Sequence, residues 1–444
     1  MITDDIPPGA INGPTCTTLR MWQALSFSSI ALVLDKVWVL LKCSLHSRHH
    51  MAGEWLAYGE LGLAAVGFAP FAIHHLSCNS WANQKLECPE ELSGLEMTLL
   101  LPVWNEELII EKKLSNLAKQ DFKAHLVLVD SASNDSTLSK AKSWLQDFPD
   151  AFESWKIIPM QKRLGKTTAV GLALDELERF EGIIVMTDAD ATMMQGALTR
   201  INRWFSNPQI GAVGGSPIRE GSIAGETNHR EIYTRLRVGE SHHDSTPFLE
   251  GSLLAWRAGI VSSSDLHYSA NADDAQIATA ARLNGLRSIQ DPNLAFSDQM
   301  PLTNKGQRRQ KVRRAQGLIR LLARKRKHWF SKREGRFSKI LRRNAWMHIL
   351  SPIAIASAGV LAVMRNIAYF PESTLMFSLS AMEVYCLTSW LLARFNKSLF
   401  GFRAAGVIMC GLENLLVAMI HTGRGKSLHM WEQHTDVRKA LSER

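Results

Sequence analysis

The sequence has no pair of cysteines at the short spacing that zinc and redox sites use. Its six cysteines are far apart along the chain: Cys16, Cys43, Cys78, Cys88, Cys386 and Cys410. The last two lie in apolar stretches, where a free thiol behaves as a small hydrophobic group. We therefore expect neither a disulfide framework nor a zinc site, which is typical of a reducing compartment.

A secretory signal is also lacking, because residues 1–18 carry acids and prolines ahead of any apolar run, whereas a signal starts with basic residues. Acids are scarce between 308 and 343, where sixteen Lys or Arg residues stand against Glu334 alone. Such a basic run predicts binding to nucleic acid or to an anionic membrane surface. Apolar segments follow it directly, and apolar residues are interleaved with its cations. We therefore predict basic interfacial helices over 308–344, membrane lipids as partners and no nucleic acid.

Long apolar segments lie on both sides of a more polar middle. Four of them have about the length that spans a bilayer: 54–76, 345–364, 374–394 and 401–421. Asp35 and Lys36 interrupt a fifth segment, 19–41, and a polar stretch over 42–50 follows it. The predicted regions are an N-terminal part with one or two membrane helices (1–94), a soluble domain (95–307), the basic helices (308–344), about three membrane helices (345–421) and a tail (422–444).

The basic charge predicts the orientation of these segments. Lys and Arg are enriched in cytoplasmic loops, so the run ahead of residue 345 places the soluble domain in the cytoplasm. Three spans after that run would put the tail on the opposite side, although the tail also carries basic residues. A re-entrant last segment or a fourth span would return the tail to the cytoplasm. The sequence leaves this choice open.

Residues 96–300 alternate between short apolar runs and amphipathic stretches. The runs predict strands at 97–101, 126–129, 155–159 and 183–187, and the amphipathic stretches predict helices at 106–120, 133–148 and 167–180. Strands and helices in alternation predict an α/β fold with a mostly parallel sheet and helices on both faces.

Two acids, Asp188 and Asp190, follow the apolar run 183–187. Ligands bind at the carboxyl ends of strands in open α/β sheets. Two carboxylates at this place could hold a divalent cation that also binds phosphate oxygens. They could equally form a turn, because Asp is a common turn residue.

Other strand ends and helix starts also carry polar groups. Glu107 and Asp130 lie beyond two strands, where an acid can accept hydrogen bonds from a base or ribose. Lys166 follows Gly165 at a helix start, which suits an anion, although Met160 stands where a phosphate loop needs glycine. The pair Asp273-Asp274 begins another helix. It is either an ordinary helix start or the place of a catalytic base with a raised pKa.

These motifs together resemble the family 2 glycosyltransferases of GT-A type. The matching segments are Pro102-Val103-Trp104-Asn105-Glu106-Glu107, Asp130-Ser131-Ala132-Ser133-Asn134-Asp135, Leu164-Gly165-Lys166, Asp188-Ala189-Asp190, Gly214-Gly215, Gly251-Ser252, Asp273-Asp274 and Gln310-Lys311-Val312-Arg313-Arg314. Each motif is weak alone, but their order and spacing over about residues 95–320 match the family. The resemblance implies a Rossmann-like GT-A domain flanked by membrane helices.

The resemblance also implies residue roles. Glu107, Asp130, Lys166 and Asp188 would bind a nucleotide-sugar donor, and Asp190 would hold Mg²⁺ or Mn²⁺. Asp274 would be the catalytic base of an inverting transfer from a UDP- or GDP-sugar. Asp273, Gln310, Arg313 and Arg314 would lie beside the diphosphate and the acceptor, which is lipid-linked or a cell-surface glycan.

One position departs from the family pattern. Arg314 stands where the family's QxxRW motif ends in Trp, a residue that borders the acceptor sugar in hyaluronan and cellulose synthases. The departure favours a single transfer over processive synthesis of a polysaccharide, which remains an alternative. A second alternative is a membrane scaffold with a degenerate, non-catalytic transferase domain. The sugar, the nucleotide base and the oligomeric state are not indicated.

Overall fold

A computed structural model of the protein describes residues 27–84, 86–218, 224–298, 301, 303–369, 373–395, 397, 399–428, 430 and 435–443. They form two compact units. One unit contains the chain up to Leu61 together with Gly359–Met382. The other contains Gly62–Ala358 and the chain from Glu383 onward, and it includes the whole soluble domain.

The soluble domain is built on one mixed sheet, with eight strands among the described residues. The strands are β1 (Met97–Val103), β2 (His125–Asp130), β3 (Trp155–Pro159), β4 (Ile183–Thr187), β5 (Thr192–Met193), β6 (Ile210–Ile218), β7 (Leu253–Arg257) and β8 (Arg287–Ser297). Their order across the sheet is β3-β2-β1-β4-β7-β6-β8-β5. The first four strands in this order are parallel, as predicted. Beyond β4 the sheet is mixed, because β7 runs antiparallel to both β4 and β6.

Helices cover both faces of the sheet. The helices of this domain are α2 (Ile110–Ala118), α3 (Thr137–Asp147), α4 (Lys166–Glu176), α5 (Ala197–Trp204), α6 (Ala224–His243) and α7 (Asp273–Leu283). Alternate residues of a strand point to opposite faces. In β1, Leu99 and Leu101 therefore pack with Leu114 of α2 on one face. Leu100 packs with Val170 of α4 on the other face. This burial on both faces accounts for the continuous apolar run of β1.

The N-terminal helix α1 (Phe27–Trp81) is continuous through the polar stretch at 42–50. Residues 19–26 of the predicted first segment lie outside the described residues. The later helices are α8 (Asn304–Arg324), α9 (Gly335–Ala345), α10 (Ser351–Ala368), α11 (Thr374–Arg394), α12 (Arg403–Gly423) and α13 (Thr435–Ser442). A π-helical segment, Trp346–Leu350, joins α9 to α10 without a loop.

By length and composition, four helical segments among the described residues could cross a membrane: Met51–Trp81, Gly335–Ala368, Thr374–Arg394 and Arg403–Gly423. They correspond to the four apolar segments of the sequence. Glu60 and Arg365, two charged residues within these segments, are both buried and form an ion pair, with Nε of Arg365 3.0 Å from Oε2 of Glu60. A buried charge is tolerated when an opposite charge pairs with it. Arg365 therefore lies inside α10 and does not end it.

The basic helices α8 and α9 pack partly on the soluble domain, and their interfacial position stays a prediction. Their apolar residues Leu321, Leu322, Phe337 and Leu341 are buried in a cluster with Phe248 of the soluble domain. The apolar face of these helices thus covers protein. Phe330, between them, remains 73% exposed.

Helix α12 packs along α8. Val312 and Ile319 of α8 form a cluster with Ala418 of α12. Arg308 of α8 forms an ion pair with Glu413 of α12. Beyond α12, the main-chain oxygen of Lys426 accepts a hydrogen bond from Gln316 Nε2 at 2.7 Å, so the chain after α12 still lies against α8. Helix α13 then packs on the soluble domain, where Lys112 Nζ donates to the carbonyl of Leu441 at 3.0 Å.

These contacts generate a prediction about membrane topology. Because the soluble domain and the tail are in contact, the chain between them must cross the membrane an even number of times. We expect α10 and α11 to cross and α12 to lie against α8 without crossing. Cysteines introduced at Asp150 and Ser442, in a variant whose native cysteines are serine, should react with an impermeant maleimide from the same side of the membrane. Labelling from opposite sides would contradict this arrangement.

Candidate active site

The carboxyl ends of β1 and β4 meet at one edge of the sheet and open into a cavity. Eight residues predicted from the sequence line it: Lys166, Asp188, Asp190, Asp273, Asp274, Gln310, Arg313 and Arg314. Three elements carry most of them, namely the loop after β4, the start of α7 and the helix α8. The chain direction of β4 delivers Asp188 and Asp190 to this edge, as expected for ligand sites in such sheets.

Backbone strain is concentrated around the same edge. The non-glycine residues with positive φ in the described part of the chain are Asn105, Ala132 and Ala272, at 55°, 59° and 63°. Asn105 follows β1, Ala132 follows β2, and Ala272 immediately precedes Asp273. Each such conformation costs about 1 to 3 kcal/mol, and strained residues cluster at functional sites because the surrounding structure holds them there.

Asp188 is held by a cation from the neighbouring helix. Lys166 Nζ lies 2.5 Å from Oδ1 of Asp188, and Ser252 Oγ donates to Oδ2 at 3.3 Å. Burial alone would raise the pKa of Asp188, but the charge of Lys166 outweighs it and lowers the pKa. Gly165 takes φ 95°, which few other residues adopt, and so turns the chain into α4 with Lys166 as the first helical residue.

Asp190 is held by a cation from the C-terminal helix. Arg438 Nη1 lies 2.8 Å from Oδ2 of Asp190. The same guanidinium binds both oxygens of Glu106, with Nε 2.9 Å from Oε2 and Nη2 2.7 Å from Oε1. Burial raises the pKa of Glu106 to about 7, although Arg438 opposes the rise. Each acid of the Asp188-Ala189-Asp190 motif therefore has its own basic partner from the chain.

The pair Asp273-Asp274 is fixed by the first turn of α7. Asp274 accepts hydrogen bonds from the backbone N–H of Gly251 at 3.1 Å and of Ala275 at 2.7 Å. Asp273 lies 3.4 Å from Lys166 Nζ. Burial and the neighbouring Asp273 raise the pKa of Asp274 to about 6. A carboxylate with this pKa can accept a proton near neutral pH.

Helix α8 supplies positive charge from the opposite side of the cavity. Gln310, Arg313 and Arg314 lie on its first half. Loss of solvent lowers the pKa of Arg314, but the carboxylates of Glu250 and Asp298 outweigh it and raise the pKa. The cavity therefore places acids from the sheet edge opposite guanidinium groups, which suit phosphate oxygens because they can bind them in a bidentate way.

Comparisons with known proteins agree with this geometry. Residues 98–261 match the family described as Glycosyl transferase family 2. This segment is a family 2 glycosyltransferase domain. A dodecaprenyl-phosphate galacturonate synthase from Rhizobium johnstonii is 22% identical over 205 residues, which are 39% of this chain and 58% of that protein. The chain thus matches less than two thirds of that relative's length.

A solved structure extends the likeness beyond the glycosyltransferase domain. The mannosyltransferase PcManGT from Pyrobaculum calidifontis, in complex with GDP-Man and Mn²⁺, superimposes with a TM-score of 0.68 and 25% sequence identity. The match covers 84% of this chain and 100% of that chain. The predicted GT-A fold and the family resemblance are confirmed.

Two predicted donor-binding residues do not line the cavity of the glycosyltransferase domain. Asp130 is buried, and its carboxylate accepts from the backbone N–H and the hydroxyl of Ser133, the latter at 2.5 Å. Glu107 Oε2 accepts from the backbone N–H of Ser136 at 3.1 Å. Both acids hold the loops after β1 and β2 in this structure. The preceding residue, Glu106, is the one that reaches the cavity.

Asp188 and Asp190 have side chains that can bind a metal ion, but they do not form a metal site in this structure. Asp188 and Asp190 offer the carboxylate oxygens that Mg²⁺ and Mn²⁺ prefer, but Lys166 and Arg438 hold them. Throughout the part of the chain that the structure describes, no group of three His, Cys, Asp or Glu side chains is placed to hold a metal.

Sequence reasoning missed two buried cations of the site, Lys113 and Arg438. Lys113 lies under the loop after β4, where Nζ donates to Thr187 Oγ1 at 2.8 Å and to the carbonyl of Ala191 at 2.5 Å. A signal existed, because Lys113 is the one basic residue on the buried face of α2 that also carries Ile110, Leu114 and Leu117. Arg438 gives no such signal, since its tail is short and polar.

The buried position of Lys113 generates a prediction about stability. Burial lowers the pKa of Lys113 from 10.5 to about 7, although Asp188 and Asp190 oppose the shift. Between about pH 7 and 10 the unfolded chain binds more protons at this residue, so its contribution to the free energy of unfolding rises with pH. When the pH is raised from 6.5 to 9, the melting temperature of Lys113→Met should therefore increase less than that of wild type. The exposed Lys119→Met is the control, and equal pH dependence of both variants would contradict this role.

Proposed function

We propose that this protein is a membrane-bound glycosyltransferase that moves a sugar from a UDP- or GDP-sugar to a lipid-linked acceptor, with inversion at the anomeric carbon. One observation carries the proposal. A single cavity joins the Asp188-Ala189-Asp190 loop and Asp274 to the arginines of α8, and α8 is followed by the helical segment Gly335–Ala368, which is long and apolar enough to cross a membrane. The lipid acceptor is further supported by the relative that acts on dodecaprenyl phosphate, as its name states.

The donor would lie along the sheet edge. Lys166 and Asp188 are proposed to contact the donor, and Asp190 is proposed to hold Mg²⁺ or Mn²⁺. Glu107 and Asp130 are proposed to contribute to nucleotide binding by ordering the loops after β1 and β2. We further propose that the glycosyltransferase domain faces the cytoplasm, since the basic charge of 308–343 precedes the membrane helices.

The acceptor would enter from the side of α8. Gln310, Arg313 and Arg314 are proposed to bind its phosphate, with Asp273 fixing the position of Lys166. Arg314 replaces an aromatic platform with a cation, which favours a phosphate over a growing glycan. Asp274 is proposed to receive the proton of the attacking oxygen. A phosphate monoester has a second pKa near 6, which is close to that of Asp274.

The donor is best tested by stabilisation of the full-length protein. A ligand that binds only the folded state at 100 times its Kd stabilises by about 2.7 kcal/mol. We expect one or more UDP- or GDP-sugars to raise the melting temperature in the presence of Mn²⁺, and Asp190→Asn to remove the part of the rise that needs Mn²⁺. Exposed Asp150→Asn is the charge-matched control. Stabilisation by no nucleotide sugar would contradict the proposal and favour a non-catalytic scaffold.

The proton acceptor is tested by Asp274→Asn. The variant should bind the donor as wild type does, because Asn keeps the shape of the side chain and can still accept from Gly251. Transfer to an acceptor hydroxyl should fall by about 10² to 10⁴, the usual contribution of a general base. Transfer to a lipid phosphate should fall less, because that acceptor ionises by itself above about pH 6. Full activity on both acceptors would contradict the role of Asp274, and a ladder of long products from wild type would indicate a processive synthase.

A further inference from the structure

The C-terminal helix α13 inserts one arginine into the cavity. Arg438 is 6% exposed and binds three carboxylate oxygens, two on Glu106 and Oδ2 of Asp190. The Nε, Nη1 and Nη2 atoms of its guanidinium group therefore each donate to a carboxylate oxygen. Asp188, Asp190 and Glu106 all raise the pKa of Arg438 against the effect of burial, so it remains a full positive charge.

Apolar contacts hold this helix on the glycosyltransferase domain. Val437 is 1% exposed, and Leu441 packs against the core on the face of the sheet that α2 covers. Lys112 Nζ donates to the carbonyl of Leu441 at 3.0 Å. The docking surface is small, because α13 has eight residues.

Arg438 binds the carboxylate of Asp190, which the proposed function assigns to a divalent cation. Oδ2 of Asp190 accepts from Nη1 at 2.8 Å. A divalent cation at this carboxylate would lie beside a fixed guanidinium charge, in a site where Lys113 and Lys166 already supply positive charge. Unit charges about 4 Å apart repel by roughly 4 kcal/mol at the effective dielectric of a protein surface. The two cations therefore compete at Asp190.

We propose that α13 is an autoinhibitory latch, in which Arg438 must withdraw from Asp190 before a divalent cation binds there. The inference rests on the proposed function, because it takes Asp190 as the cation-binding residue. Release would also free both oxygens of Glu106 at the mouth of the cavity. Cation binding at Asp190 and docking of α13 on the domain then oppose each other.

The test is Mn²⁺ binding by the full-length protein in detergent, followed by electron paramagnetic resonance of the free ion. Arg438→Gln removes the competing charge and keeps a side chain of similar reach. We expect it to bind Mn²⁺ at least about tenfold more tightly than wild type. Lys439→Gln removes the same charge from an exposed position of the same helix and should bind as wild type does. Unchanged or weaker binding by Arg438→Gln would overturn the latch.

A second variant and a second measurement distinguish the latch from a folding defect caused by the substitution of Arg438. Val437→Ser weakens the docking of α13 without touching the cavity, and it should also tighten Mn²⁺ binding. In wild type, Mn²⁺ should accelerate amide hydrogen exchange across residues 435–442. Slower or unchanged exchange in that helix, at Mn²⁺ concentrations that saturate the protein, would contradict the latch.

Asp190→Asn separates this inference from the proposed function. Combined with Arg438→Gln, it should abolish the tight Mn²⁺ binding if Asp190 holds the ion. Loss of binding with Asp190→Asn, but no gain with Arg438→Gln, removes the latch and keeps the cation site. Binding that is insensitive to Asp190→Asn removes the cation site itself and the latch with it.

Discussion

Compensation of negative charge at one edge of the sheet is the constraint on which the site depends. The fold brings Glu106, Asp188, Asp190, Asp273 and Asp274 to the same cavity, and carboxylates at such proximity raise one another's pKa unless cations neutralise them. Lys166 serves Asp188, and Arg438 serves Asp190 and Glu106. Lys113 supports the loop between them from beneath. The cations come from α2, α4 and α13, so the negative charge of these acids is compensated only when three separate parts of the chain have packed.

This arrangement explains why the acids differ in character although they lie close together. Asp188 has a close ammonium partner and a lowered pKa, whereas Asp274 accepts only backbone N–H groups in the described contacts and has a raised pKa. One carboxylate therefore stays charged, and the other can exchange a proton near neutral pH. Environments that push the pKa values of neighbouring acids apart are how a single site divides its roles. The division follows from packing, because Ala272 and Gly251 position Asp274 while Gly165 positions Lys166.

The sequence predicted the parallel half of the sheet well, because β1, β2 and β4 are continuous apolar runs buried on both faces. It could not predict the antiparallel strand β7, whose Leu253 and Leu254 look like any buried run and whose direction depends on long-range pairing. Lys166, Asp188, Asp190, Asp273 and Asp274 are predictable because they lie at strand ends and helix starts, whereas Gln310, Arg313 and Arg314 lie inside α8 and are indicated by the family resemblance alone. The sequence does not predict that Glu106 lines the cavity, because Glu106 and Glu107 follow the same strand and only the packed loop places one of them there. The sequence does not indicate a role for Arg438, because its partners Glu106 and Asp190 lie 332 and 248 residues away in the chain.

The buried pair of Glu60 and Arg365 has a consequence for the order in which the protein is made. The two residues are 305 positions apart, and the whole glycosyltransferase domain is translated between them. A charged residue inside a membrane helix is costly unless it is paired. If the first helix spans a membrane, Glu60 has no charged partner in Arg365 until the helix that carries Arg365 leaves the ribosome. The ion pair that links the first helix to α10 can therefore close only after the glycosyltransferase domain has been synthesised.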